Sequence, residues 1–185
     1  AGMETHKFRR GHLTVFSGPA HATGASRMTA LSALKAGAGI VTVAAPKAAL
    51  DVLSVTLTAV MNVPMDNADD LRVWLDDERH GAFVLGPGFG DLEKARQFVS
   101  LLGDKSVVLD ADAITAFRDD TDVLFERITS GAGKFVLTPH EGEFARLFAD
   151  LAADGRLSKI EKAQVAAARS GAVLVYKGAD TVIAS

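Results

Sequence analysis

The chain has 185 residues, of which 48% are hydrophobic and 23% charged, a size and composition typical of one globular domain and unlike a disordered or fibrous chain. Its formal net charge of −3 gives no reason to expect a nucleic-acid partner, and no apolar run reaches the roughly 20 residues that cross a bilayer. The chain has no cysteine, which excludes disulfides, thiolate metal sites and cysteine nucleophiles.

The first residues, Ala1–Lys7, contain no apolar core of a signal peptide, so we expect a cytoplasmic location. A short basic cluster comes before the first predicted strand. A cluster of this kind could attract a phosphorylated ligand, but we expect a solvated leader. Its members are His6, Lys7, Arg9, Arg10 and His12.

Six short apolar runs, rich in β-branched or aromatic residues, are bounded by Gly, Pro or Asp. Such nearly continuous runs are typical of strands buried on both faces of a parallel sheet. They start about 25 to 45 residues apart, enough for a crossover helix between each pair. The sequence therefore predicts an α/β fold, a three-layer α/β/α sandwich with a mainly parallel sheet, as one domain over 1–185. The runs are Leu13–Phe16, Ile40–Val43, Phe83–Leu85, Val107–Leu109, Phe135–Leu137 and Val173–Tyr176.

Two of the connecting helices are visible in the sequence. Residues 24–38 carry only Arg27 and Lys35 as charges, which predicts a helix buried on most sides and ended by the glycine at Gly37. For residues 158–170, the S-x-x-E pattern of Ser158 and Glu161 predicts a capping box, with Gly171 closing the helix.

Two glycine-rich segments follow predicted strands, Ser17–Ala25 and Gly86–Gly90. Glycines at a strand-to-helix junction let the backbone approach a phosphate or other polar ligand near a helix N-terminus. A tight turn, or a turn beneath a packed neighbour, explains the same glycines without a ligand. The residues alone do not decide between ligand binding and a structural turn.

Acidic and basic side chains follow three later strands. Asp110 and Asp112 could hold Mg²⁺ or orient a hydroxyl, but Asp110 could also bond neighbouring backbone and Asp112 could be a helix N-cap. His140 could donate a hydrogen bond to a substrate amide or hydroxyl, and without a second histidine at ligand spacing it does not indicate zinc.

The segment Tyr176–Thr181 lies between two apolar runs and predicts a hairpin, in which Lys177 could meet a phosphate or be a solvated turn residue. Four of the five segments fall at strand-to-helix junctions, the edge where open α/β sheets bind ligands.

Together these segments resemble the ATP/ADP-dependent NAD(P)H-hydrate dehydratase family of the ribokinase-like superfamily. The similar stretches occur in family order over nearly the whole chain, and T-P-H-E-G-E-F with L-D-A-D-A upstream is the most specific pair. They are H-K-F-R-R-G-H-L-T-V-F-S-G, T-G-A, K-A-G-A-G-I-V-T-V-A, L-G-P-G-F-G, V-L-D-A-D-A-I-T, L-T-P-H-E-G-E-F-A-R-L-F and K-G-A-D-T-V-I-A.

The resemblance implies a ribokinase-like fold and a lyase that repairs the S-epimer of hydrated NADH or NADPH with ADP or ATP and Mg²⁺. It implies that hydrated dinucleotide contacts Ala25, Gly88, Gly90 and His140. It assigns the adenine nucleotide to the stretch Lys177, Gly178, Ala179, Asp180 and Thr181, and it implies no protein-held metal site. In many bacteria the family's domain is fused to an epimerase domain, and its members often form homo-oligomers.

One departure from the family pattern concerns catalysis. The family continues into a G-S-G-D segment whose aspartate is the expected catalytic base, and this sequence stops at Ser185 without one. The resemblance therefore predicts a C-terminally truncated dehydratase domain that is inactive alone. The alternatives are a ribokinase-like kinase of a small vitamin precursor and a non-catalytic nucleotide-binding module.

Overall fold

A computed structural model describes residues 10–185, so residues 1–9, including His6, Lys7 and Arg9 of the basic cluster, lie outside the described part. Eight strands form one sheet in the order β3-β2-β1-β4-β5-β6-β7-β8. All neighbours pair in parallel except β7 and β8, which are antiparallel. The strands are β1 (His12–Phe16), β2 (Ile40–Ala45), β3 (Met61–Pro64), β4 (His80–Leu85), β5 (Ser106–Leu109), β6 (Lys134–Leu137), β7 (Val173–Tyr176) and β8 (Val182–Ala184).

Helices connect the parallel strands, with short 3₁₀ turns at Ala20–Ala22 and Lys47–Ala49. No helix within residues 10–185 is long and apolar enough to span a membrane. The helices are α1 (Gly24–Ala36), α2 (Leu50–Thr56), α3 (Ala68–Leu75), α4 (Leu92–Leu101), α5 (Asp112–Thr115), α6 (Thr121–Ser130), α7 (Glu141–Leu147), α8 (Ala149–Ala153) and α9 (Lys159–Ser170).

The hydrophobic core is divided by the sheet into two clusters. The smaller one joins Ala30 of α1 and Leu53 of α2 to residues of β1, β2 and β4 such as Val15. The larger one joins residues of α3 to α9 to the opposite side of the sheet, for example Leu109 and Leu137. Helices therefore lie on both faces, as a parallel sheet of buried valines and leucines requires.

The predicted α/β fold and its six strands are confirmed, and the predicted hairpin at Tyr176–Thr181 joins β7 to β8. The sequence analysis missed β3, whose residues Met61–Pro64 include an asparagine and a proline and are only partly buried. An edge strand pairs on one side only, so it needs neither a continuous apolar run nor every backbone N–H.

Both predicted helices are present, and Gly37 and Gly171 end them in the left-handed conformation. Ser158 and Glu161 form the predicted capping box. The expectation that 24–38 is buried on most sides is wrong: Met28 is 72% exposed. The reason is that α1 contacts the sheet with one side only: it buries Ser26 and Ala30, and its remaining residues are half-buried or exposed.

His12 does not belong to a solvated leader, because it lies in β1 and is 7% exposed. Its Nε2 lies 2.8 Å from Oγ1 of Thr42, and its ring meets His80 edge-on at 4.7 Å between centroids. The His80 ring stacks on Trp74. Burial, assisted by the neighbouring His80, lowers the pKa of His12 from 6.5 to about 4.

The lowered pKa of His12 predicts a loss of stability on acidification. Between pH 6.5 and about 4 the unfolded chain binds a proton at His12 that the folded chain does not. The free energy of unfolding therefore falls as the pH falls, by about 2 kcal/mol at pH 5 relative to pH 8. Urea unfolding of the native chain and of His12→Asn at both pH values measures this difference.

We expect His12→Asn to lose about 2 kcal/mol less than the native chain over this interval. The exposed His21 provides the matched control, and His21→Asn should behave like the native chain. An equal pH dependence in the native chain and His12→Asn would contradict the assignment.

Candidate functional site

The carboxyl ends of β1, β4, β5, β6 and β7 lie along one edge of the sheet, because these strands are parallel neighbours. Each of the five segments singled out in the sequence follows one of these strands. The sheet therefore gathers all of them on the edge where open α/β sheets hold their ligands.

Close backbone packing joins the loops after β1 and β4. A Cβ atom at Gly18 would overlap the carbonyl oxygen of Gly88, and one at Gly88 would lie 3.7 Å from Cβ of Ala25. Gly88 has a φ of 65°, in the left-handed region that glycine tolerates. The two predicted substrate residues Ala25 and Gly88 are thus neighbours, and packing between the loops explains Gly18 without a ligand.

Asp112 is not the N-cap that the sequence suggested. The cap position is Ala111, whose φ of 46° turns the chain so that Asp112 becomes the first residue of α5. Its Oδ2 instead accepts a hydrogen bond of 2.8 Å from the backbone N–H of Gly90. The carboxylate therefore joins the β5 loop to the β4 loop and fixes the position of a predicted substrate residue.

Asp110 bonds neighbouring backbone, as one interpretation of the sequence expected, and also joins two loops. Its Oδ1 accepts hydrogen bonds from the N–H of Ala111 at 2.9 Å and from Nζ of Lys177 at 2.8 Å. Lys177 donates its own backbone N–H to the carbonyl of Pro139 at 2.8 Å. The nucleotide-binding lysine expected from the resemblance is thus held between the loops after β5 and β6.

His140 is the N-cap of α7. Its Nδ1 accepts hydrogen bonds from the N–H groups of Gly142 and Glu143, and the Glu143 carboxylate accepts one from the backbone N–H of His140. Since Nδ1 accepts, the neutral imidazole carries its proton on Nε2. The side chain is 55% exposed, and its Nε2 lies 3.4 Å from Oε1 of the buried Glu143. The cap and this contact together fix the orientation of the imidazole.

The turn Lys177–Thr181 contacts a residue that the sequence analysis missed. Nζ of Lys159 donates hydrogen bonds to the backbone and side chain of Asp180 and lies 4.7 Å above the ring of Tyr176. Lys159 is in the first turn of α9, where the sequence shows only a charged residue after a capping serine. Only the packing of α9 against β7 and β8 brings it to the turn.

A cavity of about 460 Å³ lies beside the loops after β1, β2 and β4. Among the predicted substrate residues only Gly90 lines it, while Ala25, Gly88 and His140 do not. The lining residues are Ser17, Pro19, His21, Ala22, Pro46, Phe89, Gly90, Asp91 and Lys94.

Lys94 is the cation of this cavity, and sequence analysis did not single it out. Its Nζ donates a hydrogen bond to the carbonyl of Met65 at 2.8 Å and lies over the rings of Phe89 and Phe98. Burial lowers the pKa of Lys94, while nearby aspartates, Asp66 first, act in the opposite direction. These contacts join the residue after β3 to α4, and Phe89 and Lys94 line the cavity.

The predicted residues form two groups on the edge. Ala25, Gly88 and Gly90 lie at the ends of β1 and β4, whereas His140 and Lys177 lie at the ends of β6 and β7. The ends of β4 and β6 are separated by β5, a distance of about 10 Å. An extended ligand can reach both groups. The described residues contain no group of three His, Asp or Glu that could hold a metal ion.

The chain is similar in sequence to proteins of known family. A sequence profile described as NAD(P)H-hydrate dehydratase matches residues 13–185. The chain is 35% identical to a bifunctional NAD(P)H-hydrate repair enzyme of Gloeobacter violaceus over 97% of its own length, and 31% identical to one of Escherichia coli over 98%. It spans only about a third of the length of these curated relatives.

Solved structures show the same similarity. The ADP/ATP-dependent NAD(P)H-hydrate dehydratase of Bacillus subtilis, co-crystallised with ATP and Mg²⁺, superposes with a TM-score of 0.79 at 27% identity. The alignment covers all of this chain and 64% of that one. A ribokinase-like protein of Enterococcus faecalis has the same fold, with a TM-score of 0.77 at 21% identity. The sequence match over nearly the whole chain shows that it belongs to the NAD(P)H-hydrate dehydratase family.

Proposed function

We propose that this chain forms the substrate- and nucleotide-binding part of an ADP/ATP-dependent NAD(P)H-hydrate dehydratase. The family match over residues 13–185 carries the proposal. The edge geometry supports it, because an oriented imidazole and a lysine lie on adjacent loops linked by the Lys177 N–H and the Pro139 carbonyl.

The proposed reaction converts hydrated NADH or NADPH back to NADH or NADPH in two steps. The nucleotide transfers its terminal phosphoryl group to the hydroxyl of the hydrated nicotinamide ring. The C–O bond then breaks, phosphate leaves with the hydroxyl oxygen, and a proton leaves the adjacent carbon to form the ring double bond. Phosphoryl transfer of this kind depends mainly on positioning and on stabilising the charge of the phosphoryl oxygens.

The two groups on the edge have separate roles in this proposal. Ala25, Gly88 and Gly90 hold the dinucleotide by close backbone contact, and Nε2–H of His140 donates a hydrogen bond to its polar groups. The turn from Lys177 to Thr181 binds the adenine nucleotide, with the Lys177 ammonium directed at a phosphate.

Mg²⁺ would enter with the nucleotide, because a magnesium ion at such sites is held mainly by phosphates, water and one or two carboxylates. Asp110 and Asp112 follow β5 at this edge, and both already accept hydrogen bonds from the protein. When bound, the ion would neutralise charge on the phosphate oxygens. A cytoplasmic location, homo-oligomerisation and fusion to an epimerase domain stay predictions.

We further propose that these 185 residues do not complete the reaction alone, because they contain no G-S-G-D segment. Adding ATP, Mg²⁺ and hydrated NADH to the chain should give no recovery of NADH absorbance beyond the enzyme-free rate. Turnover by the 185-residue chain at the rate of a full-length relative would refute this proposal.

Nucleotide binding tests the role of Lys177. We expect Lys177→Met to weaken binding of Mg²⁺–ATP at least about tenfold, because a charge-assisted hydrogen bond to phosphate is lost. Isothermal titration calorimetry measures the affinity. Lys35→Met provides the control, since Lys35 is exposed on α1 far along the chain from the turn; equal affinities in the two variants would contradict the assignment.

The two nitrogens of His140 allow its binding role to be separated from its structural one. Asparagine is a good N-cap, so His140→Asn should change the free energy of unfolding by less than about 0.5 kcal/mol. It removes the Nε2 donor, and we expect affinity for hydrated NADPH to fall about tenfold. Urea unfolding and calorimetry measure the two effects; unchanged affinity would exclude His140 from the substrate site.

A further inference from the structure

The position of Lys159 in α9 is unfavourable for a cation. Lys159 is the first residue of the helix, directly after the cap Ser158, where the positive end of the helix dipole repels an ammonium group. Its side chain is only 19% exposed, and burying a charge is costly unless the charge is paired. The helix itself therefore does not explain Lys159, and the reason for this residue lies in the contacts of its ammonium group.

The ammonium group of Lys159 holds the turn between β7 and β8. Its Nζ donates hydrogen bonds to the backbone carbonyl and to Oδ1 of Asp180, the second at 3.2 Å. It also lies 4.7 Å from the centre of the Tyr176 ring. Tyr176 is the last residue of β7, and Asp180 lies two residues before β8. One side chain of α9 thus contacts both ends of the turn to which we assign the adenine nucleotide.

The same ammonium group explains why residue 178 is a glycine. The φ of Gly178 is outside the left-handed region, so its backbone conformation does not itself require glycine. A Cβ atom at this position would overlap Nζ of Lys159 and would lie 3.4 Å from Oε1 of Glu141. The space that a side chain at position 178 would need is therefore occupied by the Lys159 ammonium.

The contact also offsets negative charge at the turn. The carboxylates of Asp180 and Glu141 both lie beside it, and Lys177, the cation of the turn itself, is paired with Asp110. The hydrogen bond from Lys159 lowers the pKa of Asp180, because it stabilises the ionised carboxylate. Removing the Lys159 ammonium would leave the two carboxylates beside the turn to repel an arriving phosphate.

We propose that Lys159 is the positioning residue of the nucleotide turn, and that its ammonium group and the absent side chain of Gly178 form a matched pair. Lys159 acts on the nucleotide through Asp180 and the backbone of the turn, while the turn itself contacts the nucleotide. This inference rests on the proposed function, since it requires that the turn Lys177–Thr181 binds an adenine nucleotide. It extends the nucleotide site to α9, which lies outside the K-G-A-D-T segment.

A double-mutant cycle on Lys159 and Gly178 tests the pairing. Isothermal titration calorimetry measures the affinity of the native chain and its variants for Mg²⁺–ATP. We expect Lys159→Ala and Gly178→Ala each to weaken binding about tenfold, the first by releasing the turn and the second by displacing the ammonium group from Asp180. In the double variant the added methyl group enters vacated space, so binding should be no weaker than in Lys159→Ala alone.

Two comparisons separate positioning from a general loss of structure. Lys162, one turn further along α9, donates a hydrogen bond from its Nζ to the carbonyl of Ala152 in α8, and Lys162→Ala should bind Mg²⁺–ATP within about twofold of the native chain. Lys159→Ala should also keep its affinity for hydrated NADPH within about twofold, because the proposed substrate residues lie on the loops after β1, β4 and β6. A merely structural role would lower both affinities.

Urea unfolding establishes that the variants fold. Lys159→Met, which keeps the apolar stem but lacks the ammonium group, replaces Lys159→Ala in the cycle if the alanine variant does not fold. Unchanged Mg²⁺–ATP binding in either single variant, a loss of about a hundredfold in the double variant, or equal losses for both ligands overturns this inference alone. If the native chain binds no Mg²⁺–ATP, the assignment of the nucleotide site fails, and this inference fails with it.

Discussion

The parallel direction of neighbouring strands is the constraint on which the site depends. Each crossover returns the chain to the same end of the sheet, so residues far apart in sequence meet at the carboxyl ends of β1 and β4 to β7. Hydrogen bonds between these loops then fix their spacing, from Asp112 to Gly90 and from Lys177 to both Asp110 and Pro139. The sheet brings the loops to one edge, and the hydrogen bonds between the loops fix the distances between their side chains.

Much of this fold follows from sequence pattern because the responsible interactions are local. Buried strands require β-branched runs, and the capping box of Ser158 and Glu161 lies within one helical turn. β3 was not predicted, because an edge strand needs neither a continuous apolar run nor a hydrogen bond from every backbone N–H. His12 was misplaced because a histidine in a basic cluster shows its burial only when Thr42, Trp74 and His80 are assembled around it.

The gathering of the candidate site's loops on one edge was predictable from the sequence, but the contacts between the loops were not. The positions of the motifs directly after predicted strands indicated which loops share that edge. The role of Asp112 was not predictable, because its partner Gly90 is 22 residues away in the sequence. An N-cap already explained an aspartate at this position from its neighbours alone. Lys159 and Lys94 likewise gain their positions from contacts with distant residues, the turn at Asp180 and the carbonyl of Met65. The positions of these three side chains are set by hydrogen bonds to residues distant in sequence, which sequence patterns do not show.

The ion pair between Lys177 and Asp110 has a consequence for the proposed nucleotide site. A free lysine side chain has up to about 2 kcal/mol of conformational entropy to lose when it is fixed. Here the 2.8 Å contact to Asp110 already restricts that side chain, so the loss accompanies folding rather than binding. In the proposed nucleotide site, Lys177 is therefore preorganised, and a phosphate would exchange with an internal carboxylate instead of ordering a mobile cation.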